Sequence, residues 1–105
     1  MGEIFLIRRG HVRIMLPYLG RQSVHLSTLG QENFFGEFSF LEGSPHYTDA
    51  IAGSDTDVYV ISRQAFDLFS QHHKKASFHF MQSLARVLAQ RLRLTRTELG
   101  AEVDV

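Results

Sequence analysis

The chain has 105 residues, enough for one domain, and its 44% hydrophobic content with nine phenylalanines is enough to build a core. Eleven basic and eleven acidic side chains cancel, which excludes a global electrostatic pull toward nucleic acid or an anionic membrane. The absence of cysteine excludes disulfides and thiolate chemistry, and it suits a reducing, cytoplasmic compartment.

The start, Met1-Gly2-Glu3-Ile4-Phe5-Leu6-Ile7, lacks the charged lead and long apolar run of a signal peptide. No window approaches the ~18 apolar residues of a membrane span, so no direct membrane insertion is expected. The chain reads as a cytoplasmic domain, or as the cytosolic part of a larger membrane protein.

Residues 3–8 and 11–16 are rich in Ile, Leu, Phe and Val, and Arg9-Gly10 between them is a tight-turn signal. The pair is predicted to form a β-hairpin. Pro17-Tyr18-Leu19-Gly20-Arg21 reads as a turn, and residues 22–28 alternate, with Val24 and Leu26 on one face and His25 and Ser27 on the other. Leu29-Gly30-Gln31-Glu32-Asn33 turns again into a loop at 34–50, residues 47–52 leave that loop as a strand, and residues 56–61 form the last strand. Short strands at this regular spacing predict an antiparallel, mainly β roll or barrel of the jelly-roll kind, covering residues 1–62.

Ser62 is placed to cap a short helix over 63–71, with Phe66 and Phe69 as its buried positions. Residues 71–75 read as the frayed end of that helix. From 76 to 100 there is no proline or internal glycine, which predicts one long helix of about 35 Å. It carries two stripes. Phe78, Met81, Ala85, Leu88, Leu92, Thr95 and Leu99 follow a heptad seam, and Phe80, Leu84, Val87 and Leu94 form a second line. One face suits the roll and the other a partner, so a homodimer through 76–100 is expected; one wide stripe buried in a single core is the alternative.

The loop is Phe34-Phe35-Gly36-Glu37-Phe38-Ser39-Phe40-Leu41-Glu42-Gly43-Ser44-Pro45-His46-Tyr47-Thr48-Asp49-Ala50. Gly36 frees the backbone to take positive φ or to approach a ligand closely. The amides of Phe38, Ser39 and Phe40 then open a helical turn whose N–H groups suit an anion, with Glu37 beside it as an acceptor.

This segment resembles the phosphate-binding cassette of the cyclic nucleotide-binding domain family, and residues 5–14 are similar to that family's FxIxxGxVxI strands through Phe5, Ile7, Gly10, Val12 and Ile14. The resemblance implies a β-roll followed by helices and, as ligand, cAMP or cGMP with no other cofactor. Phe35-Gly36-Glu37 maps onto the family's Phe-Gly-Glu, in which amides after the glycine hold the cyclic phosphate and the glutamate accepts the ribose 2′-hydroxyl. The resemblance further implies ligand contacts from Phe38, Ser39, His46, Tyr47 and Thr48, and from Thr95 and Arg96, which sit where the bacterial regulators cap the base.

Where the family carries the phosphate-pairing arginine of Gly-x-Pro-Arg, this chain has Gly43-Ser44-Pro45-His46. An arginine offers a permanent charge and a bidentate fork, and histidine offers single donors. The exchange removes a charge-assisted contact worth on the order of 1.5–3 kcal/mol. Tyr47 follows where the family has a small residue, so its ring is expected to crowd the pocket.

Two readings follow. One is a sensor that binds a cyclic nucleotide or related anion and signals through its last helix; the other is a degenerate member that serves as a dimerisation or assembly module of a larger protein. Residues 49–52 and 55–63 are similar to versions of the domain at the C-termini of bacterial sulphate-permease-like transporters. Family members carry a helical segment and two strands before the point where this chain starts, so an exposed strand edge is expected that can pair with another chain.

Other chemistry is not indicated. His72, His73 and His79 lack the i, i+4 spacing of a helical metal site, so no metal is expected. Arg86, Arg91, Arg93 and Arg96 read as a solvated helix face, and no helix-turn-helix follows, so no nucleic-acid partner is expected. No Ser/His/Asp order, Walker loop or paired carboxylates point to a reaction, so no enzyme is expected.

Overall fold

The computed structural model describes residues 2–18 and 21–98, with the side chains of Tyr18, Arg21 and 95–98 outside the description. Among the described residues the strands are β1 (Glu3–Arg9), β2 (Val12–Tyr18), β3 (Arg21–Leu29), β4 (Phe34–Phe35), β5 (Asp49–Ala52) and β6 (Asp57–Ser62). Three helices are α1 (Glu37–Glu42), α2 (Arg63–His72) and α3 (Lys74–Glu98). The chain divides into two compact units near Asp67 and Leu68.

The first unit holds two antiparallel sheets in the orders β4-β1-β6 and β3-β2-β5. This corrects the predicted hairpin over 3–16, because β1 and β2 lie in different sheets and pair with other strands. Gly10 is where the chain changes sheet. Its φ is 91°, and a Cβ there would stand 2.5 Å from the Asp55 carbonyl oxygen. Glycine is required for both reasons, as the β5–β6 turn closes against this corner. The His11 carbonyl accepts from the Gly53 amide at 3.0 Å and from Thr56 Oγ1 at 3.1 Å, holding the two turns together.

Two more expectations are corrected in the second sheet. β2 runs through Pro17 to Tyr18, and the proline falls at a register shift between Leu16 and Tyr18, where a missing N–H costs the ladder little. In β3, Ile14 opposes Ser27 and Met15 opposes His25, so Leu26 is the extra residue of a bulge. The predicted alternation is broken there, and both Val24 and Leu26 are exposed.

The core of the roll gathers Ile4, Ile7, Val12, Phe34 and Phe40. Phe40 and Ile7, each 1% exposed, contribute on the order of 2 kcal/mol apiece by leaving water. Ser62 caps α2 as expected, accepting from the Ala65 amide at 3.0 Å. Phe66 meets Phe40 edge-on at 5.5 Å, but Phe69 is exposed and stacks on His73 at 4.7 Å, so it is not a buried position of α2.

In the second unit only His73 separates α2 from α3, in place of a frayed linker, and the His73 carbonyl accepts from the Ser77 amide at 3.0 Å. The two stripes of α3 differ in exposure. Leu84 of the second line is 4% exposed, whereas Phe78 and Leu92 of the heptad seam are 58% and 72% exposed. Thr95 and Leu99, which continue the seam, lie outside the described side chains.

Candidate functional site

The site is built where β4 hands the chain to α1. β4 is two residues long and pairs with β1, Phe35 opposite Phe5 and Phe34 opposite Leu6. Just before it, Glu32 at φ 73° closes a turn whose amide donates to the Ile7 carbonyl, while the Ile7 amide donates to the Asn33 carbonyl at 2.8 Å. β1 therefore fixes the height at which the loop leaves the sheet.

Gly36 then caps α1 in the left-handed region, φ 84° and ψ 11°, with no side-chain cap. A Cβ at this position would lie 2.7 Å from the Glu3 carbonyl oxygen, 3.1 Å from Phe5 Cδ2 and 3.2 Å from His46 Cε1. The first intrahelical bond runs from the Phe40 amide to the Gly36 carbonyl at 3.1 Å. The amides of Phe38 and Ser39 thus precede any intrahelical partner, the arrangement expected for holding an anion. Gly43, at φ 73°, ends the helix and donates its amide to the Ser39 carbonyl.

His46 returns to this glycine. Its ring is tilted against Phe5 with centroids 6.0 Å apart, and Phe5 in turn stacks on Phe35 at 4.9 Å. Phe35, Gly36 and His46 are thereby brought together around Phe5, with half-buried Glu37 as the first residue of α1. Phe5 was not among the expected site residues. Its place in the FxIxxG strand was legible, but its stacking depends on the β1–β4 pairing.

The other expected residues are placed differently. Tyr47 is turned onto Phe38, ring centroids 5.7 Å apart and both side chains exposed, so its ring is not the one that lies on Gly36. The Ser39 side chain is 1% exposed and its Oγ accepts from the Gly2 amide at 2.8 Å, so the hydroxyl holds the start of β1. Thr48 is half-buried just ahead of β5, and Asp49 is exposed. Thr95 and Arg96 fall outside the described side chains, so the expected base cap lies beyond what is described.

A connection that sequence reasoning missed runs behind the loop. The Gly2 carbonyl accepts from the Arg63 amide at 2.6 Å, and Arg63 Nη1 donates to the Phe40 carbonyl at 3.2 Å. The Arg63 guanidinium also stands 5.6 Å over the Phe40 ring, and its Nε pairs with Asp67 at 3.0 Å. α1, the start of β1 and the first turn of α2 are held by one network. Only the tertiary pairing brings Gly2, Ser39 and Arg63 together, so the linear sequence carries no signal for it.

Ser39→Ala should remove the acceptor of the buried Gly2 amide and destabilise the domain by about 1–3 kcal/mol. A urea midpoint unchanged from the parent would contradict this role for the hydroxyl.

Among the described residues no group of three His, Asp or Glu side chains is arranged to hold a metal ion, and no helix is long and apolar enough to cross a membrane.

Two antiparallel sheets, a glycine-opened helical loop between strands and helices following them define a β-roll with C-terminal helices. The chain belongs to the cyclic nucleotide-binding domain family, whose profile matches residues 1–73. It is 30% identical over 96 residues to the cyclic AMP receptor protein of Thermus thermophilus, covering 91% of this chain and 43% of that protein. It is 31% identical over 102 residues to glutaminase 1 of Bradyrhizobium diazoefficiens, covering 97% of this chain and 15% of that protein. Among solved structures, a cyclic nucleotide-binding domain from Methylobacillus flagellatus matches with TM-score 0.86 and 22% identity, covering 99% of this chain and 59% of that one. The chain thus spans less than half the length of these two full-length relatives. The match to glutaminase 1 is confined to a small share of it.

Proposed function

We propose that this chain is a regulatory, ligand-sensing domain that holds cAMP, cGMP or a related small anionic ligand in residues 34–50. The observation that carries the reading is Gly36: its left-handed backbone opens α1 with no side-chain cap, with Glu37 following at once and His46 at its side. In this reading the amides of Phe38 and Ser39 hold the cyclic phosphate and Glu37 accepts the ribose 2′-hydroxyl. Support comes from the relationship to the Thermus thermophilus cyclic AMP receptor protein.

Transmission is proposed to begin in the Ser39–Gly2–Arg63–Phe40 network, because any shift of α1 on ligand capture strains bonds that also hold the first turn of α2. The ligand acts by favouring one packing over another, limited by its differential affinity for the two. The exposed seam residues Phe78 and Leu92 of α3 support a second copy of the chain as partner. A regulatory role is favoured over catalysis, and attachment to a transporter rests only on the similarity of residues 49–52 and 55–63.

A second reading, an assembly module with a lost ligand, is favoured by one observation: His46 stands where the family's arginine would pair with phosphate. Glu37→Ala separates the two. The sensor reading expects cyclic AMP affinity to fall roughly ten- to a hundredfold in this variant by titration calorimetry. Parent and variant binding equally would contradict the ribose role.

A further inference from the structure

We propose that Phe38 and Tyr47 form an aromatic platform on which the base of the bound nucleotide stacks, so that the loop prefers a purine to a pyrimidine and separates adenine from guanine only weakly. The inference rests on the nucleotide-site reading and adds what that site selects.

The ringed side chains of residues 34–50 are Phe34, Phe35, Phe38, Phe40, His46 and Tyr47. Packing occupies most of them. Phe34 and Phe40 are buried in the core of the roll, Phe35 is stacked on Phe5 at 4.9 Å with the planes 10° apart, and His46 lies against Gly36 and Phe5. Phe38 and Tyr47 are 45% and 56% exposed. Their centroids are 5.7 Å apart and their planes are tilted by 47°, so neither ring lies flat on the other and aromatic surface stays open to a third ring.

The pair also stands beside the turn assigned to the phosphate. Phe38 is the second residue of α1, and Tyr47 directly follows His46, whose Cε1 stands 3.2 Å from where a Gly36 Cβ would be. A base is tethered to the cyclic phosphate through a single ribose, so the rings it can reach are those next to this turn. Every base has a π-face, and stacking on an aromatic side chain discriminates by the strength of the stack and not by hydrogen bonds. A purine covers more of such a platform than a pyrimidine does. Adenine and guanine differ chiefly at their hydrogen-bonding edges, which a ring face does not read.

The test is calorimetric titration of cyclic AMP, cyclic GMP and cyclic CMP into the parent chain, Tyr47→Ala, Phe38→Ala and Tyr47→Phe, each repeated on a His46→Arg background to strengthen the phosphate contact. Thermal melts of each variant confirm that the fold is retained. The parent should bind the two purine nucleotides within about threefold of each other and cyclic CMP about five- to tenfold more weakly. Tyr47→Ala and Phe38→Ala should each weaken cyclic AMP about tenfold and bring it level with cyclic CMP, whereas Tyr47→Phe should keep the parent's preference. Equal affinity of the parent for all three, a separation of the two purines as large as that from cyclic CMP, or a purine preference that survives both alanine variants overturns the platform and leaves the site reading standing. Failure of both the parent and His46→Arg to bind any of the three overturns the site reading, and the platform with it.

Discussion

Replacing His46 with arginine is expected to raise cyclic nucleotide affinity roughly ten- to a hundredfold near neutral pH. The ring stands at the Gly36 corner, its Cε1 3.2 Å from where a Cβ would be, and the side chain is exposed, so a longer residue meets no packed core. A guanidinium there adds a permanent charge and a bidentate fork to a loop that otherwise carries only carboxylates and one histidine. Stability should hardly change, because an exposed loop position away from strained backbone seldom shifts it by more than about 0.5 kcal/mol. Parallel calorimetric titrations of parent and variant measure the effect. Equal affinities would mean that position 46 does not face the phosphate.

Gly36→Ala is expected to damage both fold and site. An alanine at φ 84° carries strain of about 1–2 kcal/mol, and its Cβ would lie 2.7 Å from the Glu3 carbonyl oxygen. That oxygen belongs to the backbone of β1, which is paired to β6 at Ser62, so it cannot simply swing aside. Either β1 shifts or the β4–α1 corner opens, and in both cases the first turn of α1 is displaced. The total cost should exceed about 2 kcal/mol, read as a lower urea midpoint, with cyclic nucleotide binding lost. A variant of parental stability that still binds would show that the corner does not depend on glycine.

Much of this was legible in the chain because local chemistry and topology agree at the cassette. Phe-Phe-Gly-Glu followed by Gly-x-Pro marks a strand end, a left-handed corner and a short helix with a glycine stop, and Gly36 and Gly43 occupy those roles. Ser62 and the proline-free stretch from residue 76 likewise announced their helices, the second of which begins two residues earlier, at Lys74. What escaped was set by partners distant in sequence. Arg9-Gly10 has the signature of a hairpin turn, yet the strands on either side prefer different neighbours, and nothing local distinguishes a tight turn from a change of sheet. Leu26 was assigned to a face by alternation, which a single bulge overturns. The bond from the Gly2 amide to the Ser39 hydroxyl, 37 positions away, likewise has no local signal.

The central claim, that the loop at 34–50 holds a phosphodiester, is tested most directly by calorimetric titration of the purified chain with cyclic AMP and cyclic GMP. Light scattering on the same sample records the oligomer mass. Saturable binding of at least one nucleotide at one site per chain is the predicted result. Flat titrations with both nucleotides, repeated for His46→Arg and accompanied by a stable dimer, would contradict it and leave an assembly module that has kept the family's fold without its ligand.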